Sequence, residues 1–91
     1  MKTAFIVKQQ AMDDFYYWSK HDNKLLKKII ELLESIRTNP FQGIGKPEGL
    51  KGDLAGYWSR IINEEHRLVY CVKKDAIIIV SARSHYKNMN L

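Results

Sequence analysis

Between Asp22 and Asn39 apolar residues recur at steps of three and four: Leu25, Leu26, Ile29, Ile30, Leu33 and Ile36. Lys24, Lys27, Lys28, Glu31, Glu34 and Arg37 take much of the opposite side. That spacing predicts an amphipathic helix. Asp22 or Asn23 can cap its first turn. Asn39-Pro40 ends it, because proline disfavours helical geometry in the preceding residue. A shorter helix is predicted from about Lys8 to Lys20, where Ala11, Phe15 and Trp18 fall at i, i+4 and i+7. The break at His21-Asp22-Asn23 is brief, so the two helices form an antiparallel hairpin.

Elsewhere the pattern is that of strands. Thr3 to Val7 is a short β-rich run that stops at Lys8-Gln9-Gln10. From Pro40 to Gly56 periodicity disappears, and this stretch holds both prolines and all five glycines. A loop of that length in a small domain is ordinarily functional or disordered, and the embedded Leu50 and Leu54 suggest one that is tied down. Three further strands come after it, Tyr57 to Asn63, Arg67 to Lys73 and Ala76 to Ala82, joined by turns short enough for hairpins. The last is apolar on both faces and reads as a central strand. The order β-α-α-β-β-β gives an α+β fold in two layers, a helical hairpin packed on an antiparallel sheet. Residues 1–86 are expected to form one domain and 87–91 a short C-terminal tail.

Charge adds the first hint of a partner. Fifteen Lys and Arg against ten Asp and Glu leave a net charge of +5, a field that attracts polyanions such as nucleic acid or an acidic protein segment. The single cysteine, Cys71, allows no internal disulfide. The longest apolar run, Ala76 to Val80, is far too short to span a bilayer, and the first residues lack the apolar region of a signal peptide. A reduced cytoplasm is therefore the expected setting, without membrane association. His21, His66 and His85 are not at paired ligand spacings, and one cysteine builds no zinc site, so neither metal nor cofactor is expected. Gly43-Ile44-Gly45-Lys46 lacks the spacing and the following Ser or Thr of a phosphate loop. Cys71, among Val69, Tyr70 and Val72, reads as a packed small hydrophobe.

What remains is a polar set in the second half of the chain: Lys46, Glu48 and Lys51 in the glycine-rich loop, Arg60 on a strand, Glu65-His66-Arg67 at a turn, and His85-Tyr86 after the last strand. A carboxylate, an imidazole and a guanidinium are the parts that metal-free RNA cleavage needs. A base takes the ribose 2′-OH proton, an acid protonates the departing 5′ oxygen, and a cation stabilises the phosphorane. Each residue also has an ordinary reading. A loop glutamate is usually a solvated charge, a terminal His-Tyr a surface pair, and Arg67 the partner of Glu64 or Glu65 across a turn.

Taken together, several blocks resemble the YoeB/Txe toxins of the RelE/ParE superfamily. They are Asp13-Asp14-Phe15-x-Tyr17-Trp18, Asn39-Pro40-Phe41-x-Gly43-x-Gly45-Lys46-Pro47-Glu48-x-Leu50-Lys51, Gly56-x-Trp58-Ser59-Arg60-x-Ile62, Glu64-Glu65-His66-Arg67-Leu68-Val69-Tyr70 and the terminal His85-Tyr86. They occur in order over residues 2–86. The resemblance implies a RelE/YoeB-like fold, akin to the microbial ribonucleases. It also implies a toxin that cuts mRNA in the ribosomal A site without a metal, and a cytoplasmic setting. On matching positions, Glu48 is the implied general base, His85 the general acid and Arg67 the phosphate-binding cation. Tyr86 would orient the reacting nucleotide or stack on a base, while Lys46, Lys51 and Arg60 would contact the RNA backbone. His66 receives no catalytic role and is assigned to structure. Implied partners are the ribosome and mRNA and a YefM/Axe/Phd-like antitoxin with an acidic, partly disordered tail, with a second copy of the chain as a further option.

Two positions depart from the family pattern. Ile61 stands where a second arginine commonly follows Arg60, and Lys87 to Leu91 continue beyond the His-Tyr pair. Two other functions suit the same fold: a ParE-like poison of DNA gyrase, which has no need of Glu48, Arg67 and His85, and a non-catalytic module that binds RNA or protein.

Overall fold

The computed structural model describes residues 4–85, and in it both amphipathic segments are helices. Helix α1 runs Gln9–His21 and α2 runs Asn23–Thr38. Asp22 separates them and caps α2, its carboxylate accepting from the Leu25 N–H at 3.2 Å. The face that α2 buries is Ile29, Leu32 and Ile36, with Leu25, Leu26 and Leu33 at its margins. Ile30, expected on that stripe, is 53% exposed. On α1 the buried positions are Ala11, Trp18 and, unexpectedly, Asp14. No helix among the described residues is long and apolar enough to cross a membrane.

The strands are β1 (Ala4–Val7), β2 (Glu48–Gly49), β3 (Tyr57–Ile61), β4 (Arg67–Val72) and β5 (Ala76–Ser81). They form one sheet in the order β1-β5-β4-β3-β2. Two expectations need correcting. The sheet is mixed, not antiparallel, because β1 pairs in parallel with β5, Phe5 opposite Ile77 and Val7 opposite Ile79. Alternation along a strand fixes which face is buried but carries no information on direction. Secondly, β5 is interior, between β1 and β4, but β4 is the middle strand. The glycine-rich loop also contributes an edge strand, β2, and a single 3-10 turn at Gly52–Leu54.

Leu68, Tyr70, Ile77 and Ile79 face the helices and meet Ala11, Trp18, Ile29, Leu32 and Ile36 in the main core. Arg60 lies on the same side and is 0% exposed. A buried guanidinium is tolerable only when its N–H groups are satisfied. Here Nε donates to the Tyr70 hydroxyl at 3.1 Å, Nη1 to Ser35 Oγ at 2.6 Å and Ile44 O at 3.0 Å, and Nη2 to Asn39 O at 2.8 Å and Gln42 O at 3.0 Å. Tyr70 in turn donates to Pro40 O at 2.7 Å. The loop after α2 is thus wrapped around one side chain. Gly43 and Gly45 permit that approach. Both have left-handed φ, +128° and +82°, and a Cβ at Gly43 would collide with Ser35 Oγ.

The other end of the chain is held by α1. Asp14, 2% exposed, accepts from the Ala82 N–H at 2.9 Å, and Trp18 Nε1 donates to the Ala82 carbonyl at 2.8 Å. Both backbone groups of Ala82 are therefore satisfied by side chains of one helix face. Just before this point, Val69 pairs with Ser81 and Tyr70 with Ile79, which leaves Val80 as the extra residue of a bulge. Such an insertion bends a strand and redirects the residues beyond it.

Two measurements test these anchors. Replacing Arg60 with Met removes every donor to Ser35, Tyr70 and the three loop carbonyls, and is expected to lower unfolding free energy by about 3 kcal/mol. Chemical denaturation checks this; a surface arginine would show almost no effect. Burial pushes the Asp14 carboxyl above its ordinary 3.8, outweighing the Ala82 and Gln10 hydrogen bonds and nearby Arg83. The folded state then binds more protons than the unfolded chain once pH exceeds 3.8, so stability falls as pH rises through the window up to the folded value. In Asp14→Asn this component vanishes, and denaturation midpoints should shift in favour of the variant as pH climbs through that window. Parallel profiles for the two proteins would contradict the assignment.

Candidate active site

Side chains of paired residues project from the same face of a sheet, and successive ones alternate. Glu48 pairs with Ser59, Ser59 with Val69, and Ile61 with Arg67. Trp58, adjacent to these positions, belongs instead to the helix-side core. Glu48, Ser59, Ile61 and Arg67 therefore share the face that the helices leave uncovered. There they line an open cleft of about 360 Å³ together with Lys46, Pro47 and His85.

Each wall of the cleft is positioned by a different device. Glu48 sits on the two-residue strand β2, directly after the loop that Arg60 anchors. The Gly45 carbonyl accepts from the Ile61 N–H at 2.7 Å, and the Leu50 N–H donates to Tyr57 O at 2.9 Å, so the loop is stitched to β3 on both sides of Glu48. Arg67 opens β4. Its Nη1 donates to the carbonyls of Asn63 at 2.6 Å, Glu64 at 3.3 Å and His66 at 3.0 Å, so the turn engages one corner of the guanidinium. His85 comes after Ala82, already fixed by α1, and Ser84, whose N–H donates to His66 Nδ1 at 2.8 Å.

The cleft is electropositive by composition, with Lys46 and Arg67 against Glu48, and His85 able to add a proton. Lys46 is one of two described non-glycine residues with positive φ, at 51°, and Ser84 is the other, at 69°. Each immediately flanks a segment that carries a candidate reactive side chain. Non-glycine residues in this region cost about 1–3 kcal/mol and persist where surrounding contacts over-determine them.

The sequence-derived set is thus brought together in large part. Glu48, Arg67, His85 and Lys46 line the one cleft. Lys51 lies beside it, in an adjoining hollow of about 290 Å³ with Glu48, Gly49 and Leu50. Tyr86 lies outside the described residues. Arg60 does not belong to the set: fully buried, with all five donors engaged, it cannot serve as a backbone contact for RNA and holds the loop instead. Ile61, the departure from the family pattern, lines the cleft and makes that wall apolar. Sequence reasoning overlooked Asp14 and Ser84. For Asp14 a signal was present, since a carboxylate three residues after Ala11 and four before Trp18 falls inside an apolar stripe.

A family model described as the YoeB-like toxin of bacterial type II toxin-antitoxin systems matches residues 7–86. Toxin YoeB of Escherichia coli strain K12 is 50% identical over 78 residues, which cover 86% of this chain and 93% of that protein. A YoeB/ParE toxin from Agrobacterium tumefaciens superposes with a TM-score of 0.89 at 40% identity, covering 92% of this chain and 100% of that one. YoeB from Staphylococcus aureus was solved as a dimer, with a TM-score of 0.86, 48% identity and coverage of 94% of this chain and 100% of that one. The same protein in a YoeB–YefM complex gives 0.83 at 47%, again over 94% and 100%. Agreement that spans both helices, the sheet and the cleft makes this chain a member of the YoeB-like toxins of bacterial type II toxin–antitoxin systems.

Proposed function

We propose that this toxin is a ribosome-dependent, metal-independent endoribonuclease that cuts mRNA in the A site and so inhibits translation. The observation that carries the reading is the convergence of Glu48, Arg67 and His85, from three separate segments, on one open cleft. Glu48 takes the proton of a ribose 2′-OH, and the freed oxygen attacks the adjacent phosphorus. The bond from phosphorus to the 5′ oxygen breaks as His85 protonates that oxygen, leaving a 2′,3′-cyclic phosphate upstream and a 5′-hydroxyl downstream. Arg67 neutralises the phosphorane through the guanidinium nitrogens that the turn carbonyls leave unused. Lys46 and Lys51 hold the backbone on either side, and Tyr86 orients the reacting nucleotide. The 2′-OH is the nucleophile, so DNA is spared.

A cleft on an open face leaves room for a substrate held in place by a larger assembly. The ribosome is that assembly, and the net charge of +5 favours docking on RNA. The partner that restrains the toxin is a YefM-like antitoxin, as in the complex of the Staphylococcus aureus relative. Self-association is a second mode, by analogy with the dimer of that relative. The cytoplasm is the compartment in which these partners meet.

On programmed ribosomes, Glu48→Gln, Arg67→Ala and His85→Ala should each slow cleavage by about 100-fold or more while the proteins stay folded. Primer extension with mapping of the 5′-hydroxyl end reads the result. Lys51→Ala should weaken cleavage more at low ionic strength than at high, where salt already screens the lysine from the RNA backbone. Wild-type rates in all three reactive-set variants would end the assignment, and DNA damage on induction without loss of translation would point to a gyrase poison.

A further inference from the structure

His66 lies outside the cleft, whose lining is Lys46, Pro47, Glu48, Ser59, Ile61, Arg67 and His85. It is nevertheless only 8% exposed and held on several sides. Its ring meets the Trp18 ring edge-on at 4.7 Å between centroids, and its N–H donates to Asn63 Oδ1 at 2.7 Å. Its carbonyl accepts from the Ile62 N–H at 3.0 Å. Nδ1 accepts the Ser84 N–H at 2.8 Å, so the ring proton resides on Nε2. Glu65 Oε1 lies 3.6 Å from Nε2, too far for a hydrogen bond.

The next residue completes a grip. The Arg67 N–H donates to the Ser84 carbonyl at 3.0 Å, so the residue just before β4 and the first residue of β4 hold both backbone groups of Ser84. Ser84 has a φ of 69°, a conformation that serine keeps only under such constraint. Two residues earlier, Ala82 is held in the same way by Asp14 and Trp18. His85 comes directly after this doubly clamped run, and Arg67, its counterpart in the cleft, is itself half of the clamp.

We propose that His66 is a positioning residue for the cleft: its Nδ1, acting with the Arg67 amide, fixes Ser84 and thereby sets His85 in register with the Arg67 guanidinium. As far as catalysis is concerned this rests on the ribonuclease reading, but the positioning itself can be measured without it. His66 delivers no proton to substrate, because its Nδ1 is occupied by a backbone amide and its Nε2 lies on the Glu65 side.

Three full-length proteins separate the possibilities: wild type, His66→Phe, which keeps a ring against Trp18 but no acceptor, and His66→Asn, whose Oδ1 can replace Nδ1. In the wild type, long-range proton–nitrogen spectra should report His66 Nδ1 as unprotonated, and the Ser84 amide should be protected from hydrogen exchange. In His66→Phe the Ser84 amide should exchange at least about tenfold faster and the His85 ring signals should move; His66→Asn should restore both. On programmed ribosomes His66→Phe should lower kcat about 10- to 100-fold with KM within about twofold, and His66→Asn should recover most of it. An unprotected Ser84 amide in the wild type overturns the proposal even if no variant folds. So does a His66→Asn protein as impaired as His66→Phe, which would make ring packing the cause. If the wild type itself fails to cut mRNA, the ribonuclease reading falls, and the exchange and ring-signal measurements still decide whether His66 positions His85.

Discussion

A guanidinium inside a small core is stable only where each of its five N–H groups meets an acceptor, and Arg60 achieves this by recruiting backbone from a segment with no regular structure of its own. Its partners come from α2, from β4 and from three carbonyls between Asn39 and Ile44. Among the described residues no carboxylate pairs with it, so the charge is dispersed over neutral dipoles. The loop that carries Lys46 and Glu48 consequently leaves α2 along a fixed path. Without that anchor, Glu48 would sit on a two-residue edge strand with little else to place it.

The opposite wall of the cleft obeys the same logic with different groups. Strand β5 ends in a bulge, and the chain beyond it leaves the sheet as a run whose backbone polar groups are satisfied by side chains: Asp14 and Trp18 at Ala82, then His66 at Ser84. Both walls are therefore approached through irregular backbone pinned by buried polar residues. Beyond the bulge that backbone can present His85 at an angle that a regular strand, with side chains strictly above or below it, does not offer, while Glu48 keeps the facing that its pairing with Ser59 sets.

Much of this was legible in the chain. The three- and four-residue spacing located both helices, Asp22 announced itself as a cap, and alternation with short turns gave the meander of β3, β4 and β5. The ordered blocks of residues pointed to Glu48, Arg67 and His85 as one group, and the sheet register puts Glu48 and Arg67 on one face, where His85 joins them. Less visible was direction: nothing in Thr-Ala-Phe-Ile-Val says that β1 runs parallel to β5. The resemblance implied an outward, RNA-facing role for Arg60, yet its phase was informative, since Trp58 and Ile62, two positions on either side, are apolar and face the helices. Asp14 carried the same message on α1. In both cases residue type suggested solvent while position within the period indicated the core, and position prevailed because acceptors or donors were waiting there.

The parallel pairing of β1 with β5 joins residues 4–7 to residues 76–79, and the Ala82 clamp joins α1 to a point 64 to 68 positions further along. Contacts of such long sequence separation cannot form until residues 76–82 have been added to the chain. An incomplete chain has a first strand without a neighbour, a buried carboxylate on α1 without its amide, and no His85 at all. For a toxin whose proposed target is the translating ribosome, the cleft is thereby assembled only once synthesis has passed His85, so shorter nascent chains carry an unfinished version of it.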